Sequence, residues 1–413
     1  MPAAAPIPRG PTVLTLYTAA DLLTAPGCPV CRYAGEAGDR YLAWFALDAH
    51  ADAVTITRLC KSLGMCPRHT RGLMSQPGAA HRLTAVYRYV VAEALDRVGG
   101  HAASVDACPA CEHDHGVVGR AVDTLLDGLT DESVRERYRE LGGLCIPHLR
   151  TAAARGGQRA VTWLSHTMIA GPADPGRLAG TDHDVDARAV LRRAAAATTR
   201  PRPGSCAACL AAARAQDEHL TWIVRTGGRG ARQEPDRLLL CAAHLGDAVA
   251  AAGRRDAPSL LAWQASCLDA AVSCGAMSAA RRKLRAPASW VRARRRAEGA
   301  DRCPACLVGQ DAARRAVDDF RASLRASHPA PCQAPLCVRH LLGLQAADPW
   351  AGHVTARGAI QRAEMLLAEL NEAFGKNTWA RRHETRGQEM TAWRRAAAFL
   401  DGSVFCGCPP RDG

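Results

Sequence analysis

Four times along the chain a C-x-x-C pair is followed, after thirty-odd residues, by C-x-x-H. Cys28 and Cys31 precede Cys66 and His69, and Cys108 and Cys111 precede Cys145 and His148. Cys206 and Cys209 precede Cys241 and His244, and Cys303 and Cys306 precede Cys337 and His340. From second to third cysteine the intervening residues number 34, 33, 31 and 30, whereas 38, 57 and 58 residues separate each histidine from the next pair. The nearly constant interval is the one geometry constrains. Each repeat is therefore expected to close its own site, with the variable intervals as connectors.

Three sulfurs and one nitrogen suit a tetrahedral zinc ion, and a site filled by four protein ligands is structural rather than catalytic. The alternative is an iron–sulfur cluster at the same ligands, since histidine can replace cysteine there and retune the potential. Thiol–disulfide chemistry accounts for a C-x-x-C pair but not for its matching C-x-x-H, and no thioredoxin-like βαβ pattern accompanies it. Buried helix packing accounts for one such pair, not for four in tandem. In three repeats proline follows the first cysteine (Pro29, Pro109, Pro304). Proline suits the first position of a helix, where its missing N–H costs nothing. The first cysteine then stands at the N-cap and the second in the first turn, where free N–H groups and the helix dipole favour thiolate.

An interval of this length fits a helical hairpin: one helix of about 12–14 residues leads out and another returns. In repeat 1 these are "RYAGEAGDRYLAWFAL" and "ADAVTITRLCKSLG". In repeat 2 "LTDESVRERYRELGG" returns, with Thr130 as its expected N-cap. In "RTGGRGARQEPDRLLL" and "RASHPAPCQAPL", Gly and Pro predict extended or irregular returns for repeats 3 and 4. Helical patterns follow the C-x-x-H pairs in "RLTAVYRYVVAEALDRV", "LLAWQASCLDAAVS" and "AIQRAEMLLAELNEAF", and residues 379–402 read as a terminal amphipathic helix. Abundant alanine and few β-branched alternations complete an all-α reading, four tandem repeats packed into one or two helical domains. The expected division is a lead (1–27), repeat 1 (28–105), repeat 2 (106–170), a linker (171–203), repeat 3 (204–280), a basic connector (281–302), repeat 4 (303–375), and a C-terminal helix with a C-x-C tail (376–413).

No secretory signal pattern opens the chain, and no apolar run reaches the roughly 18 residues of a membrane span. A cytoplasmic location is expected, where paired cysteines read as metal ligands. The formal net charge is +13, with lysine only at positions 61, 283 and 376. A codon bias toward arginine and alanine explains this, as does an acidic partner; a protein or nucleic acid could dock through the basic stretch 281–296, which contains Trp290. Outside the repeats, Cys267 and Cys274 share a helical face and read as core. Cys332 is an alternative ligand, Cys60 is unassigned, and Cys406 and Cys408 form a C-x-C tail. "DHDVD" at 182–186 reads as a solvated loop. No phosphate loop, dinucleotide fingerprint, metalloprotease motif or nucleophile elbow is present, so no catalytic residue is assigned and the reading leans away from an enzyme.

"CPVC" with "LGMCPRH", and "CPAC" with "GGLCIPH", resemble the C-P-x-C and later G-[LF]-C-x-x-H of a group of uncharacterised bacterial helical proteins. The resemblance covers the first two repeats best, because repeats 3 and 4 lack the glycine before the third cysteine. It implies metal binding on a helical frame and no particular activity.

Overall fold

The computed structural model describes residues 13–25, 27–48, 51–74, 76, 79–100, 105–141, 143–156, 164, 206–226, 239–273, 303–326 and 336–402. Among them no strand occurs, and the all-α reading holds. The first half contains α1 (Val13–Leu22), α2 (Pro29–Leu47), α3 (Ala53–Lys61), α4 (Pro67–Met74), α5 (Ala79–Val98), α6 (Pro109–Gly128), α7 (Glu132–Leu141) and α8 (Ile146–Arg155). The second half contains α9 (Ala207–Thr226), α10 (Ala242–Ser273), α11 (Pro304–Ala326), α12 (Val338–Ala347), α13 (Pro349–Lys376), a 3-10 turn (Gln388–Thr391) and α14 (Ala392–Asp401). α10 is broken at Gly253, whose φ of 65° and ψ of −178° interrupt the helix just before Pro258.

The helical hairpins have unequal arms. α2 is 19 residues long and α3 is 9; α6 is 20 and α7 is 10. An outgoing rise of about 28 Å is followed by a return of only about 14 Å. The return segments of repeats 3 and 4 lie largely outside the described residues, as do Cys274, Cys332, Cys406, Cys408, residues 182–186 and the basic stretch 281–296.

Two expectations need correction. The residue at the cap of α7 is Asp131, not Thr130: its Oδ1 accepts from the N–H groups of Ser133 (2.9 Å) and Val134 (3.4 Å). A carboxylate there also complements the helix dipole, while the Thr130 hydroxyl donates backward to the Asp127 carbonyl. The terminal helix begins only at Ala392. From Asn377 the chain turns, because Lys376 and Arg381 draw Glu384, Glu389 and the Thr385 carbonyl back onto the end of α13.

The chain divides into two compact units, each assembled from three separate segments. The first comprises residues 1–36, 115–189 and 218–307. Its core joins Ala121, Val122 and Leu125 of α6, Tyr138 and Leu141 of α7, Ile146 and Leu149 of α8, and Leu260, Leu261 and Leu268 of α10. Cys267 is buried there, as expected. The second unit comprises residues 37–114, 190–217 and 308–413. Along α13, Gly352, Ala356, Ala359, Ala363, Leu366, Leu370 and Ala373 are buried at alternating spacings of four and three. That spacing makes one stripe on a helix, and its small residues allow a partner to approach closely. The partner is α5, lying antiparallel: Arg88 stacks on Phe374 and bonds Asn371 near the end of α13, while the Val98 carbonyl accepts (3.0 Å) from Gln345 of α12, which packs on Gly352 at the start of α13.

Gly64 and Gly143 each stand two residues before a ligand cysteine, at φ of 86° and 81°. Glycine adopts this left-handed region without the penalty a Cβ brings. A Cβ at Gly143 would also sit 2.9 Å from the Tyr138 hydroxyl oxygen, whereas one at Gly64 would meet only ordinary contacts. Gly64→Ala should therefore destabilise the metal-loaded protein by about 1 kcal/mol and Gly143→Ala by somewhat more. Thermal unfolding followed by circular dichroism checks the order; a neutral Gly143→Ala contradicts it.

Candidate metal centres

The eight ligand pairs share one local geometry. Each leading cysteine directly precedes a helix: Cys28, Cys66, Cys108, Cys145, Cys206, Cys241, Cys303 and Cys337 stand before α2, α4, α6, α8, α9, α10, α11 and α12. Cys145 and Cys337 have the extended backbone of an N-cap, with φ/ψ of −68°/161° and −73°/163°. In all eight, the cysteine carbonyl accepts the first helical hydrogen bond, from the residue four positions on. The second cysteine or the histidine is then the third helical residue, and its side chain points back toward the cap. Both ligands of every pair thus lie beside free N–H groups at the positive end of a helix dipole.

The pairs do not combine as their order in the chain suggests. Centre 1 gathers Cys28 and Cys31 with Cys145 and His148, and centre 2 gathers Cys66 and His69 with Cys108 and Cys111. Centre 3 gathers Cys206 and Cys209 with Cys337 and His340, and centre 4 gathers Cys241 and His244 with Cys303 and Cys306. The expectation that each repeat closes its own site is overturned: the two repeats of each half exchange their C-x-x-H pairs. In the first half the unequal hairpin arms give the reason, because a 9-residue return does not cancel the rise of a 19-residue helix. Centres 1 and 4 lie in the first unit, centres 2 and 3 in the second.

In each centre the four donor atoms lie within 4.8 Å of one another, and they can hold a metal ion. Every histidine presents Nδ1. In centre 1 it lies 3.4, 3.2 and 3.1 Å from the sulfurs of Cys28, Cys31 and Cys145. In centre 2 the corresponding distances are 3.3, 3.4 and 3.7 Å, to Cys66, Cys111 and Cys108. Centres 3 and 4 repeat the arrangement at 3.2–3.5 Å. Sulfur–sulfur separations across the two helix starts are 3.5, 3.6, 3.8 and 3.9 Å in centres 1 to 4.

Without a cation these groups frustrate one another electrostatically. In centre 4, hydrogen bonds from Cys241 and Cys306 pull the Cys303 thiol down to about 3, while bonds to Cys241 and Cys303 push Cys306 up. In centre 1 burial raises the Cys28 thiol, but bonds from Cys145 and Cys31 and the charge of His148 outweigh it and hold it well below the usual range. Burial, then bonds to Cys28 and Cys31, push Cys145 up. Three thiolates cannot coexist at this distance unless a positive ion sits among them. Cys60 and Cys267, pushed up to about 11 mainly by burial, behave as ordinary interior thiols.

Several supporting residues escaped the sequence reading. Asp114 accepts from Nε2 of His69 at 2.9 Å, fixing Nδ1 as the inward-facing donor. Burial opposes protonation of His69, but bonds to Asp114 and Cys108 raise it to about 11. A signal was present: three positions after the second cysteine stand Ala34, Asp114, Ala212 and Gly309, so one repeat alone carries an acid. Leu144 and Leu240, each just before a ligand cysteine, donate their N–H to buried side chains, the Tyr138 hydroxyl and Gln264 Oε1, both at 2.9 Å. Tyr138 and Gln264 carry no pattern that marks them. At centre 3, Gly402 packs so closely on Cys209 that any Cβ would strike the sulfur.

The exchanged pairing predicts metal stoichiometry. Cys31→Ser with His148→Asn should lose one ion, and Cys31→Ser with His69→Asn should lose two. Metal analysis of the purified variants gives the counts, and the reverse pattern restores pairing within a repeat. Asp114→Asn should weaken centre 2 by about 10- to 100-fold. Competition with a chromophoric chelator reads this directly, and unchanged release from all centres contradicts the role given to Asp114.

No protein-family model matches the chain, and no curated protein or solved structure matches it either.

Proposed function

We propose that the protein is a zinc-stabilised helical scaffold that acts by binding a macromolecular partner. The observation that carries this is the spacing of the donors. Zinc–sulfur bonds of about 2.3 Å and zinc–nitrogen bonds of about 2.0 Å set tetrahedral edges of about 3.8 Å between sulfurs and about 3.5 Å from sulfur to nitrogen. The separations of 3.5–3.9 Å and 3.1–3.7 Å given above bracket those values. Four protein ligands close the coordination sphere, leaving no position for substrate or water, as in a structural site.

An iron–sulfur cluster needs a wider cage. Its ligands bind different irons with sulfide between them, so donor atoms confined within 4.8 Å of one another favour a single ion. A reducing compartment such as the cytoplasm suits thiolates that must stay unoxidised. No described helix is long and apolar enough to cross a membrane.

Anaerobically purified protein should be colourless above about 350 nm and contain four zinc ions per chain. Chelation should then collapse its helicity, because the cores and centres form together. Brown protein absorbing near about 400 nm contradicts zinc, and helicity indifferent to chelation contradicts a structural role.

A further inference from the structure

The segment 377–391, between α13 and α14, is tied by ion pairs within itself and back onto α13. Arg381 reaches Glu372 at 3.0 Å and Glu384 at 2.7 Å. Lys376 bonds the Thr385 carbonyl at 2.7 Å and Glu389 at 3.1 Å. Glu389 also accepts from the Gly387 N–H at 2.6 Å, and Arg395 pairs with Glu369. These ties engage every carboxylate of the segment. They fix a loop that has no regular secondary structure until the 3-10 turn.

The same segment carries a second arrangement that takes no part in these ties. Trp379 is 76% exposed, the most exposed large apolar side chain among the described residues. The Arg382 guanidinium lies 3.3 Å over its ring. Arg382, His383 and Arg386 are exposed, and among the described residues neither arginine has a carboxylate in ion-pairing range. Exposing an indole forgoes about 2–3 kcal/mol of burial. Besides the basic residues, the rest of the loop is Asn, Thr, Gln, Glu, Gly, one exposed alanine (Ala380) and a half-buried Met390, so no large apolar surround marks a protein-docking core.

We infer that Trp379, with Arg382 and Arg386, is a stacking platform for single-stranded nucleic acid: the indole takes a base and the two guanidiniums take the flanking phosphates. An aromatic face beside unneutralised cations is how sequence-tolerant single-strand binders divide the work, stacking for affinity and charge for the backbone. The chain's net charge of +13 adds long-range attraction for a polyanion. This names the partner class left open in the scaffold reading and rests on it, but it is carried by different residues from the basic stretch 281–296.

The test uses the full-length, metal-loaded protein and fluorescence anisotropy with labelled oligo(dT) and oligo(rU) at low salt. Binding should weaken about tenfold in Trp379→Ala, stay near wild type in Trp379→Phe, and show a shallower salt dependence in Arg382→Ala/Arg386→Ala. A parallel variant with the arginines of 281–296 replaced by glutamine should retain the Trp379 dependence. Helicity and metal content, measured on the same samples, report on the scaffold reading separately. Folded, zinc-loaded protein that ignores both oligonucleotides overturns the platform and leaves the zinc reading standing. Binding that is indifferent to Trp379→Ala, or lost only with the 281–296 arginines, overturns it equally. A preference for one oligonucleotide that keeps the Trp379 dependence supports it.

Discussion

A cysteine at the cap of a helix, with a second donor three residues on, is the constraint from which the rest of this molecule follows. Thiolates need positive charge. A helix start provides a partial one through its unpaired N–H groups and dipole, and an ion shared between two helix starts completes it. Eight helices begin in this way, and the four centres are four pairs of such starts. Each centre therefore fixes where two helices begin. The cores form around them, with Cys108, Cys206 and Cys337 among the buried residues of one unit and Cys28, Cys145 and Cys303 of the other.

Exchange between repeats changes what a repeat is. Repeat 1 gives its C-x-x-C to a centre in one unit and its C-x-x-H to a centre in the other, so no repeat closes on itself. The exchange lengthens the loop between Cys31 and its partner cysteine to a separation of 114 positions. Loop closure grows only logarithmically, so the extra cost over an interval of 34 residues is about 1 kcal/mol. That is small beside the roughly 10–16 kcal/mol that structural zinc ions contribute in small domains. In the first half, helix length rather than chain entropy decides the pairing. Four of the five boundaries between the units fall inside α2, α6, α9 and α11, the four helices that begin with C-x-x-C.

Donor identity and helix placement were legible in the sequence because both are local. Proline after cysteine marks a helix start, and the spacing of two between ligands places the second donor in the first turn. The glycines before Cys66 and Cys145 were visible as a motif, and the structure gives their cause in positive φ. Partner choice was not legible. A constant interval of thirty-odd residues was read as a closed loop, whereas in the first two repeats it holds one long and one short helix of matching lengths. Asp114 was recoverable from its offset, but Gln264 acts across 24 positions, and Tyr138, only six positions from its partner Leu144, belongs to no motif that marks it. Thr130 lost the cap to Asp131 because the helix starts one residue later than the motif suggested.

The central claim is that two repeats share each ion, and heteronuclear NMR of the cadmium-substituted protein tests it most directly. Couplings from one cadmium resonance should reach the β-protons of Cys28, Cys31 and Cys145 and the ring of His148. A resonance that couples Cys28 and Cys31 to Cys66 and His69 instead would return each site to its own repeat and contradict the exchanged architecture.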